Sequence, residues 1–203
     1  MSFLVEFFYA AILGFFSQNL AFELGVSTGN LFKLSEDKSQ RRKYFFAIML
    51  ITTIAATALT YLADVTVISY LVPDLYMREP ARGFVFVIVI AAIEIGLELL
   101  LEWSAPNMRK MLGSYLPSAC MNSGVLAILL LNRQFEYGFW QSELFALMAV
   151  LGFAMSVLLT QVLRERVVLV RCPKSIKGTP LALLATGILS LAFAGLTDMT
   201  FPY

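Results

Sequence analysis

Six stretches of this chain are apolar and long enough to cross a bilayer, and no other feature limits its possible folds so tightly. They fall at roughly residues 3–26, 45–70, 83–103, 109–131, 140–163 and 179–198. In hydrocarbon the backbone finds no water to bond, so a spanning segment is either an α-helix or a strand of a closed barrel. Runs of about 20 residues, rather than about ten, select the helix. The connections, at 33–43, 73–82, 104–107, 132–138 and 164–178, are too short to hold a soluble domain. Composition agrees: the 203 residues are 59% hydrophobic and 14% charged, against about 45–50% and about 25% in a soluble domain. The expectation is an all-α integral membrane protein with one polytopic domain over residues 1–203. Residues 1–16 have no basic n-region and no small-residue cleavage site, so they read as the first span and not as a removable signal.

Lysine and arginine set the expected orientation, because they gather in cytoplasmic loops. Lys33, Lys38, Arg41, Arg42, Lys43, Arg109, Lys110, Arg164, Arg166, Arg171, Lys174 and Lys177 lie by the first, third and fifth connections, while Arg78, Arg82 and Arg133 lie on the other side. This split of 12 to 3 among the 15 basic residues puts the odd connections in the cytoplasm and both termini outside. Six spans divide into three and three. An odd number per half makes the halves run in opposite directions, so an inverted repeat over about 1–103 and 106–203 is expected.

Two spans carry polar interruptions. In the fourth, Leu116-Pro117-Ser118-Ala119-Cys120-Met121-Asn122-Ser123-Gly124-Val125-Leu126 sets proline, asparagine, serine and glycine inside an apolar run. Pro117 removes a backbone donor and frees a carbonyl one turn earlier, which Asn122 and Ser123 are placed to compensate. That pattern fits either a proline-kinked helix or a broken helix whose ends face a central site. The first span has Ser17-Gln18-Asn19 and then Gly25-Val26-Ser27-Thr28-Gly29-Asn30, which fits a helix end and loop or the matching break. Paired interruptions in the two halves of a membrane protein point to a working site.

Glu94, Glu98 and Glu102 recur every fourth residue of the third span and form one acidic stripe. Ionisable groups in a span face the bundle interior, water or a partner. Glu98 and Glu94 therefore suit ion or proton handling, or pairing with a partner protein, while Glu102 sits near the interface; Asp64 and Glu23 are candidates of the same kind. Gly187, Ser190, Ala192, Ala194 and Gly195 make a small-residue face on the last span, suited to close helix packing. There is no histidine, which removes imidazole ligation of haem, zinc or copper. The two cysteines, Cys120 and Cys172, are far apart, and an iron–sulfur cluster needs about four thiolates. Cys172 lies in a loop expected to face a reducing cytoplasm, where a disulfide is not expected. The lipid bilayer is the expected surrounding, and nucleic acid is not an expected partner.

The run from Glu98 to Asn132 (Pro106, Leu112-Gly113, Leu116-Pro117, Asn122, Val125-Leu126, Leu131-Asn132) resembles the Rnf/Nqr family of membrane subunits. So do Arg164-Glu165-Arg166, Pro173, Gly178 and the run Ala185-Thr186-Gly187-Ile188-Leu189-Ser190-Leu191-Ala192-Phe193-Ala194-Gly195. The resemblance lies on the RnfA and NqrE side and covers nearly the whole chain; the sister subunits are RnfE and NqrD. It implies six helices as an inverted repeat with broken first and fourth helices, in the cell (inner) membrane. It also implies a heterodimer with a homologous sister subunit, inside an ion-translocating, ion-motive oxidoreductase with further redox subunits. The alternative is a derived member acting in transport or assembly without a redox role.

The resemblance further implies a 2Fe–2S cluster in mid-membrane, to which each of the two subunits gives two cysteines, one from each broken helix. Here the second of those positions is Ser123, in Met121-Asn122-Ser123, and the first falls on Ser27, or on Ala21 in another ungapped placement. Neither is cysteine, and a serine oxygen is a hard, high-pKa substitute for a thiolate. Cys120, three residues before Ser123, is either a displaced ligand or a core thiol.

Overall fold

The computed structural model describes residues 3–37, 39–68, 75–104, 107, 109, 112–113, 115–168 and 178–200. Every regular element among them is helical. We label them α1 (Phe3–Ile12), α2 (Thr28–Glu36), α3 (Ser39–Ala63), α4 (Leu75–Ser104), α5 (Leu116–Cys120), α6 (Ser123–Gln134), α7 (Phe139–Val168) and α8 (Thr179–Thr200). Wide π turns extend α1 over Leu13–Ser17 and α3 over Asp64–Ile68.

Among the described residues, three helices, against six expected spans, are long and apolar enough to cross a membrane: Gln40–Thr66, Pro80–Ser104 and Phe139–Arg166, with shorter apolar helices at Phe7–Ser17 and Pro180–Gly195. At about 1.5 Å per residue, the 25 to 28 residues of the long ones exceed the about 30 Å hydrocarbon thickness. Hydroxyl groups on these helices bond back to their own turns. Thr53, Thr60 and Thr160 each donate to the carbonyl four residues earlier, which satisfies them without a partner helix.

Helix α7 runs through the middle, packed by α1 and its π turn, α2, α3, α6 and α8. Ala10, Leu20, Phe45, Met49, Val125, Phe145, Phe153 and Val157 make the sealed core around it. The α1–α7 crossing is close because two glycines permit it. A Cβ on Gly152 would stand 2.5 Å from the Phe15 carbonyl oxygen, and one on Gly14 would stand 2.8 Å from that of Phe145. On the last span, Ser190 of the expected small-residue face makes a packing contact, while its glycines do not. Among the described residues nothing lies within 4 Å of a Cβ built on Gly187 or Gly195, and α8 instead docks through Phe193 against Phe22, with ring centroids 5.0 Å apart. Bulky Phe193 and the Ser190 hydroxyl, which donates to the Phe22 carbonyl, set that contact and hold the glycines off. Helix α4 is the least covered element: Phe84, Ile88, Ile95, Leu99, Leu100 and Trp103 all face outward. A helix with so much exposed apolar surface belongs against lipid or another protein.

Candidate functional site

The chain leaves the α1 π turn at Ser17 and does not resume helix until Thr28. Asn19 organises the interruption. It is fully buried, and its Oδ1 accepts from the Ala21 and Phe22 amides at 3.1 and 3.2 Å and from Ser156 Oγ at 2.8 Å. Its Nδ2 donates to the Gly152 carbonyl at 3.1 Å. One side chain thus serves backbone groups that a broken helix would leave unpaired in an apolar medium, and it ties the break to α7. The turn closes through the Val26 amide on the Leu20 carbonyl at 2.7 Å. Gly25 and Ser27 both have φ of 63°. Gly25 takes the left-handed conformation freely, whereas for Ser27 it costs about 1–2 kcal/mol. A strained residue that persists is held by its surroundings.

The second interruption is shorter. Pro117 stands in the first turn of α5, where its missing N–H has no helical acceptor, so it starts a helix instead of kinking one. Helix α5 ends at Cys120, and Asn122 begins α6 as its N-cap, accepting from the Gly124 amide at 3.1 Å.

The two interruptions meet. Ser27 Oγ donates to Asn122 Oδ1 at 2.6 Å, joining positions 95 residues apart, both buried. Asn122 Nδ2 points to Met49 Sδ at 3.6 Å, and Cys120 Sγ and Thr52 Oγ1 lie 3.2 Å apart, so α3 closes one side. Ser118 Oγ donates to Asn30 Oδ1 at 3.4 Å. A Cβ on Gly124 would sit 3.2 Å from Leu20 Cδ1, which brings the start of α6 directly onto the first break. Ser27, Asn122, Gly124, Cys120 and, through Leu20, Asn19 therefore share one locus. Ser123 is exposed beside it, and Cys172 lies outside the described residues.

The acidic candidates lie elsewhere. Glu98 and Glu102 both bind Arg109 of their own chain, at 3.0 and 2.6 Å, with all three side chains more than a third exposed. Glu94 is half-buried. Asp64 is held from two sides, by Arg82 Nε at 2.7 Å and Arg133 at 3.1 Å.

Sequence reasoning passed over Thr52, Met49, Gly152 and Ser156. The four-residue spacing of the small residues Gly152 and Ser156 is a helix-packing signal that was available. Nothing in the order of residues marks Thr52 or Met49 as neighbours of the fourth span.

The donor set at this locus does not fit the 2Fe–2S cluster that the resemblance implies. The Ser27 hydroxyl is committed to Asn122, and Cys120 is buried against Thr52.

Comparison with known proteins fits the architecture. A family model described as Rnf-Nqr subunit, membrane protein, matches residues 7–200. The chain is 33% identical over 144 residues to the A-type subunit of the sodium-translocating ferredoxin:NAD oxidoreductase complex of Acetobacterium woodii, covering 71% of this chain and 72% of that one. It is 39% identical over 115 residues to the A-type subunit of the ion-translocating oxidoreductase complex of an Azoarcus species (57% and 60% of the two chains). With the corresponding protein of Pseudoalteromonas translucida it shares 34% over 152 residues (72% and 77%). Apolar helices, two polar interruptions and a match over nearly the full length lead to one conclusion: the chain belongs to the Rnf-Nqr family of membrane-protein subunits.

Proposed function

We propose that this chain is a membrane subunit of an Rnf/Nqr-like ion-translocating electron-transport complex, paired there with a homologous sister subunit. The names of its relatives support the complex, since each is the A-type component of an ion-translocating oxidoreductase. The observation that carries the reading is the Ser27–Asn122 hydrogen bond, which joins a helix break in the first half to one in the second. Six spans in a three-plus-three inverted repeat put those breaks at equivalent depth. The 12-to-3 division of basic residues supports both termini outside the inner membrane.

Within such a complex this chain contributes the crossing and not a ligand. A hydroxyl-to-amide bond of 2.6 Å holds the two breaks together where the family uses thiolates. An affinity-handled copy expressed at native level and extracted in mild detergent should bring down a homologous six-span sister and the soluble redox subunits. Purification of this chain alone under conditions that keep the rest of the complex together would refute the assignment.

A further inference from the structure

A second polar feature lies away from the crossing, toward the end of the molecule where α3, α6 and the start of α4 come together. A cavity of about 40 Å³ is lined there by Thr57, Thr60, Asp64, Asn132, Arg133 and Tyr137, among others. A water needs about 10–15 Å³ by this measure, so there is room for about two or three. Three of these lining residues carry a buried oxygen without a protein hydrogen-bond partner: Thr57 Oγ1, Asn132 Oδ1 and Tyr137 Oη. Thr57 is 2% exposed and Asn132 8%. Asn132 Nδ2 donates to the Ser142 carbonyl at 3.4 Å, which fixes the amide so that its oxygen is the free end. Buried groups of this kind are normally satisfied, and three on residues that line one small space call for a polar occupant.

The chemistry of the wall selects water. Thr57 and Tyr137 each donate and accept, and Asn132 Oδ1 accepts only. Burial pushes the Tyr137 hydroxyl up to about 12, so it stays a neutral donor at physiological pH. A bare cation would sit beside Arg133 and near Arg82, and a bare anion beside Asp64; water satisfies all three orphans without added charge. At the rim Asp64 bridges Arg82, 8% exposed, and Arg133, 38% exposed. Arg82 is sealed in, whereas Arg133 reaches the surface and can swing away.

We propose that this cavity is a hydrated access vestibule on the outer face, with the Arg133–Asp64 pair as its lid and water as its occupant. The side of the membrane rests on the orientation given above; hydration does not.

Two experiments on the full chain in native membranes test it. In the first, Thr57→Cys is treated with silver ion, a membrane-impermeant thiol reagent of about the size of a water, on right-side-out and inside-out vesicles, and adducts beyond those of the parent chain are counted. We expect Thr57→Cys to react from outside only and several-fold faster once Arg133→Gln is added. Ala56→Cys, on a fully buried neighbour, should stay unreacted. Reaction from the cytoplasmic side alone would uphold the vestibule and overturn the orientation. No reaction from either side, even with Arg133→Gln, would overturn the vestibule. The second experiment needs no thiol: Thr57→Val keeps the shape and removes the hydroxyl. If the hydroxyl bonds water, the thermal midpoint falls; a rise would mean a dry, orphaned hydroxyl and would overturn the proposal.

Discussion

Gly152→Ala offers the sharpest perturbation of the packing that positions the site. The added methyl would lie 2.5 Å from the Phe15 carbonyl oxygen and 3.2 Å from the Phe15 Cα, so α7 and the α1 π turn must part. These are backbone atoms with no rotamer to change. Forcing a methyl into a filled contact costs about 1–3 kcal/mol. The same displacement strains the bond from Asn19 Nδ2 to the Gly152 carbonyl, worth about 1 kcal/mol. The sum is about 2–4 kcal/mol, set against a helix-propensity gain of up to about 1 kcal/mol from replacing glycine. Gly187→Ala and Gly195→Ala serve as controls on α8: with open space around each, they keep only the propensity gain. Thermal unfolding of the detergent-purified chain, followed by fluorescence-detected size exclusion, should show Gly152→Ala clearly destabilised and the two controls at or above the parent. A Gly152→Ala protein as stable as the parent would refute the close α1–α7 crossing.

Ser27→Ala should destabilise by about 1 kcal/mol, since it loses the bond to Asn122 and keeps the left-handed backbone. Ser27→Gly should fall between that variant and the parent, because relief of the φ of 63° offsets part of the loss; an order in which alanine is the milder change would contradict it. Glu98→Gln should leave assembly intact and cost less than about 1 kcal/mol, because the pair is exposed and Glu102 retains Arg109 at 2.6 Å. Loss of ion coupling at normal protein level in that variant would assign Glu98 a proton-exchanging role, whereas loss of the complex would place its partner outside the chain. A cysteine added after Tyr203 should label from the external side of intact cells, and labelling only after permeabilisation would reverse the orientation.

The spans expected at 45–70, 83–103 and 140–163 fall on the three long apolar helices, because uninterrupted hydropathy is a local property that no tertiary contact needs to rescue. Asn19 and Asn122 were visible for a related reason: an amide inside an apolar run must satisfy backbone or not be there. What each amide bonds was not visible. The Asn19 partners Gly152 and Ser156 lie 133 and 137 residues away, and the Thr52–Cys120 contact spans 68. The glutamate stripe was legible as a stripe, with ion or proton handling or a partner protein expected for Glu98 and Glu94, but its neighbour within the chain was not: Arg109, just beyond the turn, reaches both Glu98 and Glu102. Small residues at 187 and 195 looked like a packing face, yet the ring of Phe193 between them makes the contact.

Iron measured in the purified pair of this chain and its sister bears most directly on the central claim, that a serine–asparagine crossing stands here where the resemblance implies a cluster. We predict no stoichiometric iron or acid-labile sulfide and no 2Fe–2S absorption or EPR signal in the native pair, with iron binding appearing when Ser27→Cys and Ser123→Cys are introduced together. A stoichiometric 2Fe–2S centre in the native pair, abolished by Cys120→Ala, would contradict the claim and make Cys120 its ligand.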